Sequence, residues 1–125
     1  MSASFEDVRK FALTLDGVEE GLSYGTAAFK VRGALFARLK EDGETLVVGM
    51  GFDERDEMIA ADPAVYFVTD HYLNYKWILV RLPRIELDAL RDLLRSACRL
   101  AASEKAAGKK RRSTGRNRVA PRRLR

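Results

Sequence analysis

At 125 residues, 46% hydrophobic and 33% charged, the chain fits one soluble globular domain with an appendage. Its single cysteine excludes an intrachain disulfide, and its single histidine and cysteine exclude a zinc site built from Cys and His alone. No basic-then-apolar leader and no run of transmembrane length is present, so a cytoplasmic protein with no membrane partner is expected.

The net charge of +5 conceals a split. Residues 104–125 carry ten Lys/Arg against Glu104, net +9, while residues 1–103 carry thirteen against seventeen Asp/Glu, net −4. The body is mildly acidic and the tail strongly basic, so a polyanionic partner is expected at the tail first.

Ser4 opens a helix whose apolar period runs Phe5, Val8, Ala12, Leu15, with Gly17 as its left-handed stop. Val18 to Gly25 has two glycines and no clear period, and reads as a loop. A meander follows. Strands 28–32 and 34–40 are joined tightly at Arg32-Gly33, and Glu41-Asp42-Gly43-Glu44 turns into a third strand, 45–49. Alternation places Leu35, Ala37 and Leu39 opposite Phe36, Arg38 and Lys40, so one sheet face is expected to carry Lys30, Arg32, Arg38 and Lys40. Asp53 is the expected cap of a short helix over 54–61 that Asp62-Pro63 ends.

Val65 to Thr69 is a short strand or link, and Asp70 to Asn74 turns. The strongest strand signal is Tyr75-Lys76-Trp77-Ile78-Leu79-Val80-Arg81-Leu82, halted by Pro83. It is apolar on both faces, as an inner strand is. A long helix from about Glu86 to Lys105 follows, with Leu87, Leu90, Leu94, Ala97 and Ala101 as its stripe and Gly108 as its end. The expected fold is α+β, an antiparallel sheet of about five strands with helices in the order α-β3-α-β2-α. Residues 1–104 form the domain, and 105–125 a basic tail without an apolar period, expected to be disordered when free.

Few residues suggest catalysis. Gly49-Met50-Gly51 before a helix is a partial phosphate-loop pattern, but Asp53, Glu54, Asp56 and Glu57 would repel a phosphate there. Cys98 falls on the apolar stripe of the last helix, where cysteine acts as a small hydrophobe, and His71 falls in a turn. The pairs Glu19-Glu20, Glu41-Asp42 and Asp53-Glu54 sit on turns or caps and read as solvated surface. A non-enzymatic protein without cofactor or metal is expected. Trp77, Tyr72, Tyr75, His71, Arg38 and Arg81 could instead form an aromatic–basic surface of the kind that binds nucleic acid. The competing reading makes Trp77 core and Arg81 a strand end. The tail's Lys105, Lys109, Lys110, Arg111, Arg112, Arg116, Arg118, Arg122, Arg123 and Arg125 are either a solvated run or phosphate contacts.

Several stretches together resemble the MmcQ/YjbR family of small bacterial proteins. They are Leu13 to Glu20, Ala28 to Ala37, Glu54-Arg55 leading to Ala61-Asp62-Pro63, His71-Tyr72 to Lys76-Trp77 to Val80-Arg81-Leu82, and the final helix. The resemblance spans most of 4–102 and omits the tail. It implies an α+β fold like that of type III secretion chaperones and CyaY-type proteins. It also implies DNA binding through β-hairpin wings, here the 28–40 hairpin and the turns at Gly43 and Asn74. The family's Gly-Lys after the first strand reads Gly33-Ala34 here, one cation fewer at the wing tip.

The expected function is nonspecific DNA binding by a monomer or weak dimer. The residues expected to carry it are Lys30, Arg32, Arg38, Lys40, Trp77, Arg81, Lys109, Lys110, Arg111, Arg112, Arg116 and Arg118. The alternatives are a protein-interaction or chaperone-like module using an open sheet face, and a small-molecule binder around Glu19, Tyr24, His71 and Trp77.

Overall fold

Two Xaa-Gly pairs set the sheet. Tyr24-Gly25 (φ 54° and 80°) and Arg32-Gly33 (φ 53° and 83°) are two-residue turns with both central φ values positive. That is the primed turn, whose twist matches the strands it joins. The first joins β1 (Val18–Ser23) to β2 (Thr26–Val31), and the second joins β2 to β3 (Ala34–Leu39). Gly43 (φ 73°) serves the turn into β4 (Thr45–Gly49). There Asp42 accepts hydrogen bonds from the Glu44 and Thr45 N–H groups (2.9 Å each) and from the Thr45 hydroxyl (2.7 Å).

The structure is a computed structural model and describes residues 3–114, with side chains described through residue 104. The remaining elements are α1 (Phe5–Ala12), α2 (Phe52–Ala61), β5 (Tyr66–Phe67), β6 (Trp77–Arg81) and α3 (Leu87–Thr114). Short 3-10 turns span Asp70–Tyr72 and Leu82–Arg84. The six strands form one sheet in the order β1-β2-β3-β4-β6-β5, antiparallel at every pairing.

The α+β class and antiparallel sheet agree with the sequence reading, but the count and order differ. There are six strands in the order α-β4-α-β2-α. The added strand is β1, read as a loop. Its partner supplies its order: Val18 to Ser23 pair residue by residue with Val31 to Thr26. Because β1 lies at the sheet edge with its four middle residues exposed, it needs no apolar alternation.

One sheet face is packed by helices. Phe29 and Val31 of β2, Leu46 and Val48 of β4, and Ile78 and Val80 of β6 meet Val8 and Ala12 of α1 and Leu90, Leu94 and Ala97 of α3 in one core. Fully buried side chains of this size contribute roughly 1.5–3 kcal/mol each. A bulge in β3 breaks the alternation expected there. Phe29 pairs with Ala37 but Lys30 with Leu35, so Phe36 and Ala37 both enter the core and Leu35 is left to the other side.

Helix ends also shift. Ser4 caps α1 as expected, its N–H and hydroxyl both donating to Asp7 Oδ2 (2.9 and 3.2 Å), but α1 stops at Ala12. Gly51, not Asp53, is the α2 cap residue, and Asp53 lies in the first turn. β6 begins at Trp77, leaving Tyr75 and Lys76 before it. α3 runs past Gly108 to Thr114, so the boundary drawn at 104 falls within the span of this helix. Residues 115–125, which hold Arg116 and Arg118, lie outside the described residues.

Candidate nucleic-acid interface

On the sheet face away from the helices, cross-strand pairs place Ala28 beside Arg38, Arg38 beside Val47, and Val47 beside Leu79. Val47 and Leu79 are fully buried on this face and lie outside the core that the helices pack. Chain between β5 and β6 reaches back over this face, and the Tyr72 hydroxyl accepts from Arg38 Nη1 at 3.0 Å. The result is a cleft of about 330 Å³ lined by Tyr24, Leu35, Arg38, Val47, His71, Tyr72, Tyr75 and Trp77. Five aromatic rings, the histidine included, surround one guanidinium.

Arg38 is 5% exposed. Its Nη2 donates to Glu41 Oε2 (3.1 Å) and to the Thr26 hydroxyl (3.4 Å), and the guanidinium lies 5.2 Å from the Tyr24 ring centre. Its Nε is buried and, among the described residues, has no hydrogen-bond partner. Burying a donor without an acceptor costs about 1–3 kcal/mol. Tyr24 is 85% exposed, with a positive φ that a bulky side chain rarely adopts. Tyr75 is 61% exposed, and His71 meets Tyr72 edge-on at 4.7 Å.

The residues singled out from sequence separate into two groups. Trp77, Tyr72, Tyr75, His71 and Arg38 come together as the aromatic–basic surface, Trp77 half-buried rather than core. Arg81 does not join them. It stacks on Phe67 at 4.1 Å and donates to the Pro63 and Ala64 carbonyls, fastening β6 to the chain before β5. The four-cation face is not formed. Lys30 is exposed and Lys40 lies 5.9 Å from the Tyr72 ring centre, but Arg38 is buried. Arg32 sits exposed in the turn between β2 and β3. Lys109, Lys110, Arg111 and Arg112 lie on the last turns of α3.

The other candidates resolve into structure. Glu20 takes both Arg9 Nε and Nη2 at 3.0 Å, tying β1 to α1, and Glu19 lies opposite Lys30. Cys98 packs against the core, where burial pushes its thiol up, and His71 lines the opposite face, so they make no catalytic pair. Among the described residues no group of three His, Cys, Asp or Glu could hold a metal, and no helix is long and apolar enough to cross a membrane.

Arg55 escaped the sequence reading, and Tyr24 was named only for the small-molecule alternative, in a stretch read as a loop. Arg55, only 4% exposed, donates from α2 to the Tyr75 and Trp77 carbonyls (3.0 and 3.4 Å), fixing the start of β6 and hence the cleft wall. An arginine in a short acidic helix gives no hint of this. Tyr24 did carry a signal: Tyr-Gly resembles the Arg-Gly pair read correctly as a tight turn.

A second groove, about 490 Å³, shares Leu35, Tyr75 and Trp77 with the cleft and continues to Ala101 and Glu104 of α3. Lys76, between those two aromatics, pairs with Glu104 at 3.1 Å. The basic stretch of α3 therefore begins where the groove ends.

No curated protein matches the chain. The crystal structure of Deinococcus radiodurans protein DR2400, which carries the family-model domain DUF419, has a similar fold. Its TM-score is 0.66 at 24% identity, over 77% of this chain and 76% of that one. The YjbR family model matches residues 13–100, from the end of α1 through most of the sheet-packing part of α3. This chain belongs to the YjbR family.

Proposed function

We propose that this protein binds nucleic acid without catalysing a reaction on it. The basic end of α3 contacts phosphates, and the aromatic–basic cleft contacts what those phosphates carry. One observation supports this most. Residues 105–114 continue α3 as helix, hold Lys105, Lys109, Lys110, Arg111 and Arg112 with no acidic residue, and begin at the Lys76–Glu104 pair, at the end of the groove that adjoins the cleft. The acidic body by itself would repel a polyanion, so affinity belongs to this extension and the residues after it.

The test is binding of short labelled strands to the full chain and to a variant with Lys109, Lys110, Arg111 and Arg112 changed to Gln, at two salt concentrations. The expected result is affinity that falls steeply with salt and falls again in the variant. Salt-insensitive binding, or equal binding by the variant, contradicts it.

A second reading is a protein-interaction module. It draws on the outer edge of β1, unpaired at the end of the sheet, with exposed Leu22 and Tyr24 beside it. A salt-insensitive homodimer in light scattering would favour it.

A further inference from the structure

We propose that the outer-face cleft seats a single unpaired base, so that the protein prefers single-stranded over duplex nucleic acid. This rests on the nucleic-acid reading above and names its substrate. Size and lining come first. A space of about 330 Å³ walled by Tyr24, Tyr72, Tyr75, Trp77 and His71 suits one planar ring and is too small for a stacked base pair. Aromatic walls accept any base, because every base has a π-face, whereas in a duplex both faces are already covered.

Charge selects a base over a phosphate. Arg38 at the cleft is already ion-paired with Glu41 at 3.1 Å, so an anion entering here meets a neutralised guanidinium and a carboxylate. What the cleft offers instead is ring surface, which suits a neutral planar ring better than an anion. Tyr24 is the second sign. Holding a tyrosine at φ 54° is unfavourable, and here it keeps an exposed ring over Arg38 at the cleft mouth.

The route supports the same occupant. The groove sharing Leu35, Tyr75 and Trp77 runs to Glu104, where the basic stretch of α3 starts. A strand held by those cations presents its bases to the cleft at high effective concentration, and a free nucleotide lacks that advantage.

Trp77 is the chain's only tryptophan, and a base stacked against it quenches its emission. The full-length protein is titrated with oligo-dT, an abasic strand of equal length, a duplex of equal length, and free thymidine monophosphate. Oligo-dT is expected to quench and to bind about five- to a hundredfold more tightly than the abasic strand. The duplex and the mononucleotide quench little at the same concentration. Tyr75→Ala and Tyr24→Ala remove the dT advantage; both side chains are exposed, and circular dichroism confirms that the variants fold. Equal binding of dT and abasic strands without quenching overturns the base site and leaves the nucleic-acid reading standing. Mononucleotide binding as tight as that of the strand overturns the strand as its source. No binding by any strand overturns the nucleic-acid reading and the base site with it.

Discussion

The two faces of the sheet are buried in different ways. Against the helices, Phe29, Phe36, Leu46, Ile78 and Leu94 are fully buried among other apolar side chains. On the outer face Val47 and Leu79 are just as buried, yet Val47 lies among rings and the buried Arg38, whose Nε has no partner among the described residues. The first face is consumed by folding. The second keeps backbone strain at Tyr24 and exposed aromatic surface, the features on which the proposed binding rests. Substitutions on the helix face should therefore change stability and leave binding to the folded fraction intact, and substitutions on the outer face should do the reverse.

The largest effect belongs to the core. Phe29→Ala should cost about 3–5 kcal/mol in urea unfolding, with unchanged strand affinity for whatever remains folded. Arg55→Ala comes next, at about 2–4 kcal/mol, because it leaves two carbonyls at the start of β6 without their donor. It should also weaken binding, since those carbonyls belong to Tyr75 and Trp77. Neutralising the four cations from Lys109 to Arg112 should lower single-strand affinity on the order of a hundredfold at low salt and flatten the salt slope by up to about 2.8, with no change in unfolding midpoint.

A smaller effect tests the comparison more sharply. Tyr24→Asn gives the Asn-Gly pair that the primed turn prefers, so stability should rise by about 0.5–1 kcal/mol while binding falls. A loss of stability together with binding would mean that Tyr24 is structural.

The smallest effect is in acid. Hydrogen bonds from the Glu44 N–H, then the Thr45 hydroxyl and N–H, hold the Asp42 carboxyl below its ordinary value near 3.8. A depressed carboxylate adds stability that is fully present above the ordinary value and lost as pH falls through the folded one. Asp42→Asn should therefore flatten the fall in melting temperature below about pH 4.

Much of this was legible before the fold. The meander, the inner strand at Trp77 and the stripe of α3 follow from period and turn chemistry. So did most of the cleft, because Tyr72, Tyr75 and Trp77 flank one strand start and were grouped with His71 and Arg38 as an aromatic–basic surface. What escaped depends on partners that local sequence does not name. β1 is a strand because β2 pairs with it. Leu35 faces outward because of a bulge. Arg81 and Arg38, alike in sequence, differ because one reaches backbone carbonyls and the other is enclosed by rings. The end of α3 was misplaced at Gly108 because one glycine lowers helix propensity by only about 1 kcal/mol.

Trp77 emission during titration of the full chain with oligo-dT, in low and then high salt, tests the central claim most directly. Quenching that saturates at low salt and reverses as salt is raised is the predicted result. Tyr75→Ala should then still bind the strand, but weakly and with less quenching. Binding without any change in Trp77 emission, or no binding at low salt, would contradict the account.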